Sequence, residues 1–206
     1  MSFSSRVKEE LSYQTGSAMH CRIAEIAAIL SMCGQIFQEE DGKVSIKIQT
    51  ENLAVARKYF TLLKKTYNID VDICIRSHIH TGKSRTYILE VTDDYAARKI
   101  LSSVKFMNGD GEIEEDYAIV HSMVLRKACC KRAFLRGLFL CAGSISEPEK
   151  TYHFEIVCGT PERAQQICDM MKTFNIDGKC ITRKKYHVVY IKEASQIVDM
   201  LNVMEA

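Results

Sequence analysis

The sequence predicts an α+β protein in which one helix-strand-strand-helix-strand-strand-helix unit is written twice, the copies related by a pseudo-twofold axis. Two observations carry this. Residues 24–36 (AEIAAILSMCGQI) and 131–145 (KRAFLRGLFLCAGSI) are each apolar or small around most of a helix read at ~3.6 residues per turn. A helix of that kind is buried on every side, so the two are expected to pack on one another. Gly137 and Ala142 add no bulk at the contact, and Gly34 and Gly143 read as glycine C-caps. The second observation is a repeat: Lys65–Asp70 (KTYNID) returns 107 positions later as Lys172–Asp177 (KTFNID), with a single Tyr/Phe exchange. Gly34 and Gly143 are 109 positions apart, so the copies stay in register but for two residues.

The elements follow in order. Residues 1–19 form an arm, with a helix from a capping Ser4 to Leu11 that turns Val7 and Leu11 to one side. The first copy, residues 20–103, opens on the first central helix and continues into a hairpin around the acidic turn 39–42. In its second strand Val44, Ile46 and Ile48 alternate with Lys43, Ser45, Lys47 and Gln49, the pattern of a sheet covered on one face. Residues 52–67 read as an amphipathic helix with Leu53, Ala56, Phe60 and Leu63 on its buried stripe. Strands at 71–75 and 87–91 flank the loop 76–85, and Asp93 or Asp94 caps a helix to about Ser102. Residues 104–128 form a polar crossing, Asn108-Gly109-Asp110-Gly111 marking turns and 118–128 adding a helix. The second copy, residues 129–206, repeats the order: a hairpin around Pro148, a helix capped by Thr160 with Pro161 in its first turn and running to Phe174, two strands with almost no loop between them, and a last helix at 194–204.

Composition narrows the class. Hydrophobic residues at 47% and charged residues at 26% are ordinary for a globular chain, and a net charge of +2 points to no particular partner. No signal peptide or ~20-residue apolar run is visible, so a cytoplasmic protein is expected. The nine cysteines include no Cys-x-x-Cys, and Cys21, Cys33, Cys141 and Cys168 sit among apolar neighbours. They are expected to be buried reduced thiols, with no metal or other cofactor, because close zinc-ligand pairs are not seen. The vicinal pair Cys129-Cys130 is the exception that invites a thiol assay.

The duplicated unit with paired central helices resembles the LAGLIDADG homing endonucleases. Leu135–Gly143 (LRGLFLCAG) can be laid on the family's nine-residue motif, and Ile26–Gly34 (IAAILSMCG) more loosely. In that family the acidic residue before the last glycine binds the catalytic metal; the matching positions here are Cys33 and Ala142, with apolar Met32 and Leu140 beside them. Metal-assisted hydrolysis of a phosphodiester needs hard oxygen ligands, so the resemblance implies a fold without the cleavage chemistry. Residues 2–11 (SFSSRVKEEL), 132–146 (RAFLRGLFLCAGSIS) and 147–153 (EPEKTYH) resemble the bacterial WhiA family more closely. That resemblance implies a transcription regulator of cell division, chromosome segregation or sporulation, associated with the nucleoid. It also implies a degenerate LAGLIDADG domain followed by a C-terminal helix-turn-helix domain that does most of the duplex DNA binding. No such helix-turn-helix is recognisable in these residues, so the chain is expected to be part of a longer protein.

If DNA lies across the sheets, the candidate contacts are Lys43, Lys47 and Gln49 in the first copy and Arg183, Lys184, Lys185 and His187 in the second. The loop adds Arg76, His78, Lys83 and Arg85; His78 and His80 alone do not make a metal site. Three other readings stay open: plain solvated strand faces, a protein- or ligand-interaction surface, and an active endonuclease.

Overall fold

The structure is a computed structural model that describes residues 1–77 and 84–206. The arm helix α1 (Phe3–Tyr13) is followed by α2 (Met19–Cys33), β1 (Gly34–Gln38), β2 (Val44–Thr50), α3 (Leu53–Tyr67), β3 (Asp72–Ser77), β4 (Arg85–Val91) and α4 (Asp94–Ser103). After the crossing come α5 (Ala128–Ala142), β5 (Gly143–Ile145), β6 (Phe154–Cys158), α6 (Pro161–Lys172), β7 (Lys179–Arg183), β8 (Tyr186–Ile191) and α7 (Ala194–Met204). Each copy folds into a four-stranded antiparallel sheet, and the strand orders β1-β2-β4-β3 and β5-β6-β8-β7 are the same order written twice. Among the described residues no helix is long and apolar enough to cross a membrane.

The repeated hexapeptide is explained by its asparagines. Asn68 and Asn175 both adopt the left-handed conformation (φ 52° and 59°), which Asn tolerates better than other side chains. Each turns the chain from the end of a helix towards the third strand of its sheet.

Helices α2 and α5 form the centre of the molecule. Ala24, Ile26, Ala27, Ala28 and Ile29 on one, and Leu135, Leu138, Phe139 and Leu140 on the other, have no exposed surface. They approach closely at Gly137, where a Cβ would stand 2.8 Å from the Ala28 Cβ and 3.0 Å from the Glu25 carbonyl oxygen. The close packing expected at Gly137 is therefore present. Gly34 and Gly143, in contrast, are extended (φ −80° and −86°), not left-handed. They are glycines for room: a Cβ would lie 2.4 Å from the Leu30 oxygen in one case and 2.2 Å from the Phe139 ring in the other.

Other expectations are corrected in detail. The cap of α1 is Ser2, whose hydroxyl accepts from the Ser5 N–H at 3.1 Å; the Ser4 hydroxyl instead accepts from Ile145 N–H in the second copy. Asp93 caps α4 through the Ala96 N–H, while Asp94 reaches across to accept from Val44 N–H at 2.7 Å, tying α4 to the start of β2. Thr160 caps α6 as expected, but that helix stops at Lys172. On α3 Ala56 and Leu63 are buried as expected, but Leu53 is exposed, Phe60 is half-buried, and Val55, Lys58, Tyr59 and Leu62 face in as well. Lys58 is drawn inward by Glu25 of α2, its ammonium 2.9 Å from the carboxylate with no exposed surface on either side chain.

No helix forms at 118–127. Side chains of α6 hold this stretch through carbonyls such a helix would use: Arg163 donates to that of Ala118 at 2.9 and 2.7 Å and Gln166 to that of Val120, whose N–H donates back to Gln166.

Candidate nucleic-acid interface

At the C-terminal ends of α2 and α5, where the endonuclease motif would carry its acids, Cys33 and Ala142 sit half-buried. The hydrogen bond from the Cys141 thiol, with the Arg163 and Lys8 cations nearby, holds Cys33 below its ordinary value; the same bond and burial push Cys141 above its own, against the pull of Lys8. Arg163 also donates to the Ser31 carbonyl at 2.6 Å, and the Lys8 ammonium lies 5.7 Å from the centre of the Phe139 ring. This end of the helix pair thus presents thiols and cations. Neither a methyl group nor a thiol offers the hard oxygen that holds Mg²⁺.

The sheets meet the helices through one face only. In β2, Val44, Ile46 and Ile48 are buried, while Ser45, Lys47 and Gln49 point the other way; β6 alternates likewise, with Phe154, Ile156 and Cys158 inward. Strand register sorts the candidates. Lys47 lies opposite Glu90, Gln49 opposite Ile88, and Arg76 opposite Thr86 in the same outward row. Arg183, opposite Tyr186, falls in the outward row of the second sheet with Glu155, Val157 and Val188. Arg85 and His187 fall in the inward-facing rows, His187 opposite Cys158. Lys43 precedes β2 in the acidic turn, and Lys184 and Lys185 make the tight β7–β8 turn, exposed, with Lys184 left-handed at φ 56°. His78, His80 and Lys83 lie outside the described residues.

Several of these cations are already paired. Lys47 is 3.5 Å from Glu90, Lys43 is 2.9 Å from Asp41, and Arg183 is 3.4 Å from Glu155. Burial pushes Glu155 up, but His153 and Arg183 outweigh it and hold its carboxyl below the ordinary range. The outward faces are therefore close to neutral along their middles; among the described residues Arg76 and the Lys184-Lys185 turn, nearer the strand ends, form no ion pair. The acidic partners do not stand out along the chain; the alternation that names Lys47 also places Glu90 beside it once β2 is paired with β4.

At the other end of the central helices is a second group that the sequence did not reveal. His20 and Cys21 from the first turn of α2 meet Cys129 and Cys130 from the first turn of α5, with one ligand atom from each within 4.8 Å of every other. The fold thus corrects the expectation that close ligand pairs are lacking: two adjacent dipeptides, far apart in sequence, are brought together. His20 and Cys129 are separated by the same interval as Gly34 and Gly143, and so are Cys21 and Cys130: the four are repeat-equivalent positions.

Comparison with known proteins is decisive for the family. The profile described as the WhiA N-terminal LAGLIDADG-like domain matches residues 19–107, and that of the WhiA LAGLIDADG-like domain matches residues 131–206. The chain belongs to the WhiA family. It is 51% identical over 206 residues to the probable cell division protein WhiA of Lachnoclostridium phytofermentans, and 39% identical to that of Desulforamulus reducens. Both matches cover the whole of this chain, which spans 66% and 63% of those relatives' lengths. Among solved structures it is similar to the N-terminal LAGLIDADG domain of DUF199/WhiA, with TM-score 0.73, 22% identity, and 99% of this chain and 90% of that one covered. The homing endonuclease I-DmoI, in complex with DNA and Mn, shares the fold at TM-score 0.63 and 10% identity, with 92% of this chain and 99% of that one covered. WhiA and the endonuclease are thus built on the same duplicated framework.

Proposed function

We propose that this chain is the non-catalytic LAGLIDADG-like part of a cytoplasmic, nucleoid-associated WhiA-type regulator of cell division, chromosome segregation or sporulation. In this reading it contacts duplex DNA through phosphates, and a helix-turn-helix domain elsewhere in the whole protein reads the sequence. The observation that carries it is the exchange at the two motif ends: Cys33 and Ala142 stand where metal-binding acids would, while the outward sheet faces keep Lys47, Gln49, Arg76 and Arg183. Phosphate contacts of this kind position a protein on DNA without specifying sequence, and binding through them falls steeply with salt.

The test combines a plasmid-nicking assay in Mg²⁺ or Mn²⁺ with duplex retardation over a salt series. No cutting is expected. Retardation at low salt should weaken in Lys47→Glu and Arg183→Glu, and the log–log salt slope should drop by about one unit for each phosphate that is no longer neutralised. Site-specific cutting would overturn the non-catalytic part. A second reading, a protein interface, is favoured by the charge pairing and by Ile73 and Ile75, both more than half exposed on the edge strand β3. Absence of salt-dependent retardation, with both variants folded, would select it.

A further inference from the structure

The group at the N-terminal ends of the central helices is a set of donors that suits one class of ligand. The His20 Nδ1 atom lies 3.3 Å from the Cys21 sulfur, 3.3 Å from the Cys130 sulfur and 3.9 Å from the Cys129 sulfur. With Zn–S near 2.3 Å and Zn–N near 2.0–2.1 Å, a tetrahedral ion sets its nitrogen and sulfur ligands ~3.5 Å apart. The observed nitrogen–sulfur separations fall on both sides of that value, and all four ligand atoms lie within 4.8 Å of one another, so rotation of these side chains brings them to an ion without moving the helices.

We propose that His20, Cys21, Cys129 and Cys130 form a tetrahedral Cys₃His site for Zn²⁺ that joins the two repeats at the N-terminal ends of α2 and α5.

Three further features fit this site. Neither helix has a side-chain N-cap: Ala18 and Lys127 stand at the cap positions and make no side-chain bond to the first turn. The ligands occupy those first turns, where exposed N–H groups and the helix dipole favour negative charge, so thiolates there complement both helices at once. Zinc with three thiolates and a neutral imidazole carries a net negative charge, and the adjacent cavity lined by His20 and Cys130 is also lined by Lys105, Arg126 and Lys127. Finally, four protein ligands leave no open position, which is the arrangement of a structural site and not of a catalytic one. Soft sulfur donors with one imidazole favour zinc over Mg²⁺ or Ca²⁺. This end of the helix pair is opposite to the one holding Cys33 and Ala142, so the site is separate from the degenerate motif.

The experiment measures metal on the full chain purified without chelator under reducing, oxygen-free conditions. One zinc per chain is expected. Replacing it with Co²⁺ should give thiolate-to-cobalt charge transfer in the near ultraviolet and intense visible bands of a tetrahedral ion. Cys129→Ser alters an exposed side chain and should leave the fold intact while abolishing stoichiometric uptake; Cys130→Ser and His20→Asn should do the same. Cys180→Ser, on the edge strand β7, should bind like the unaltered chain. Removing zinc should lower the thermal midpoint of the unaltered chain and leave that of Cys129→Ser unmoved. The proposal is overturned if the reduced chain takes up no zinc or cobalt, if the cobalt spectrum survives in Cys129→Ser, or if a Cys129–Cys130 or Cys21–Cys130 disulfide is found in chain prepared without oxygen.

Discussion

Glu25 is the residue whose removal should damage the protein most. It has no exposed surface, yet its carboxylate serves two cations: Arg136 donates to it through Nε at 3.0 Å and Nη2 at 3.1 Å, and the Lys58 ammonium is 2.9 Å away. Arg136 is 2% exposed and Lys58 not at all. In Glu25→Ala both cations stay inside, Lys58 with only the Leu11 and Gln14 carbonyls, and Arg136 with the Met204 carbonyl and the half-exposed Glu205. Stranding a buried charge costs about 3–5 kcal/mol. Because the surviving carbonyls and Glu205 compensate in part, the expected loss is ~4 kcal/mol, a large fraction of the ~5–15 kcal/mol typical of a folded domain. In urea unfolding followed by circular dichroism, with a slope near 2 kcal/mol/M, the midpoint should fall by about 2 M without a change of slope. The triple variant Glu25→Leu, Lys58→Met, Arg136→Met keeps the volume filled and removes all three charges, so it should recover most of the loss. A single-variant loss below ~1 kcal/mol, or a triple variant as unstable as the single one, would refute the reasoning.

Gly137→Val puts branched bulk where a Cβ alone already meets Ala28 at 2.8 Å; the overpacking should cost about 1–3 kcal/mol or more by the same measurement, and Gly137→Ala, which adds only the Cβ and gains helix propensity, should cost less. Tyr59→Phe should be neutral or stabilising by up to ~1 kcal/mol, because the Tyr59 hydroxyl is buried with no hydrogen-bond partner among the described residues, and a clear destabilisation would refute this. Asp94 titrates below the ordinary carboxylate value because it accepts from Val44 N–H, with Arg98 adding to the effect. Its contribution is therefore present above the unfolded value of about 3.9 and is lost as pH falls through the lowered folded value. Asp94→Asn should flatten that part of the acid-unfolding curve, and an unchanged curve would show the carboxylate to be idle.

Much of the framework could be read along the chain because it depends on local chemistry. The two apolar helices, the repeated hexapeptide, the strand alternation at Val44–Ile48 and the Thr160-Pro161 start all announce themselves within a few residues. What was misread depends on partners far away in sequence. Lys58 belongs by pattern on the wet side of an amphipathic helix, and only Glu25 brings it inside. Residues 118–127 have a helical composition, but Arg163 and Gln166 hold them through backbone carbonyls. The pairing of Lys47 with Glu90 needs the β2–β4 register, and the group at His20 and Cys129 needs both helix starts to meet. Cys129-Cys130 stands out alone only as a vicinal thiol pair, and His20-Cys21 does not stand out at all.

From Ala24 to Ser31 helix α2 is buried at every position, and the helix it packs against is made only when the ribosome has passed residue 142. During synthesis the first copy must wait with a greasy rod uncovered, so it is the nascent half, not the finished chain, that should engage chaperones and aggregate when translation stalls in the crossing.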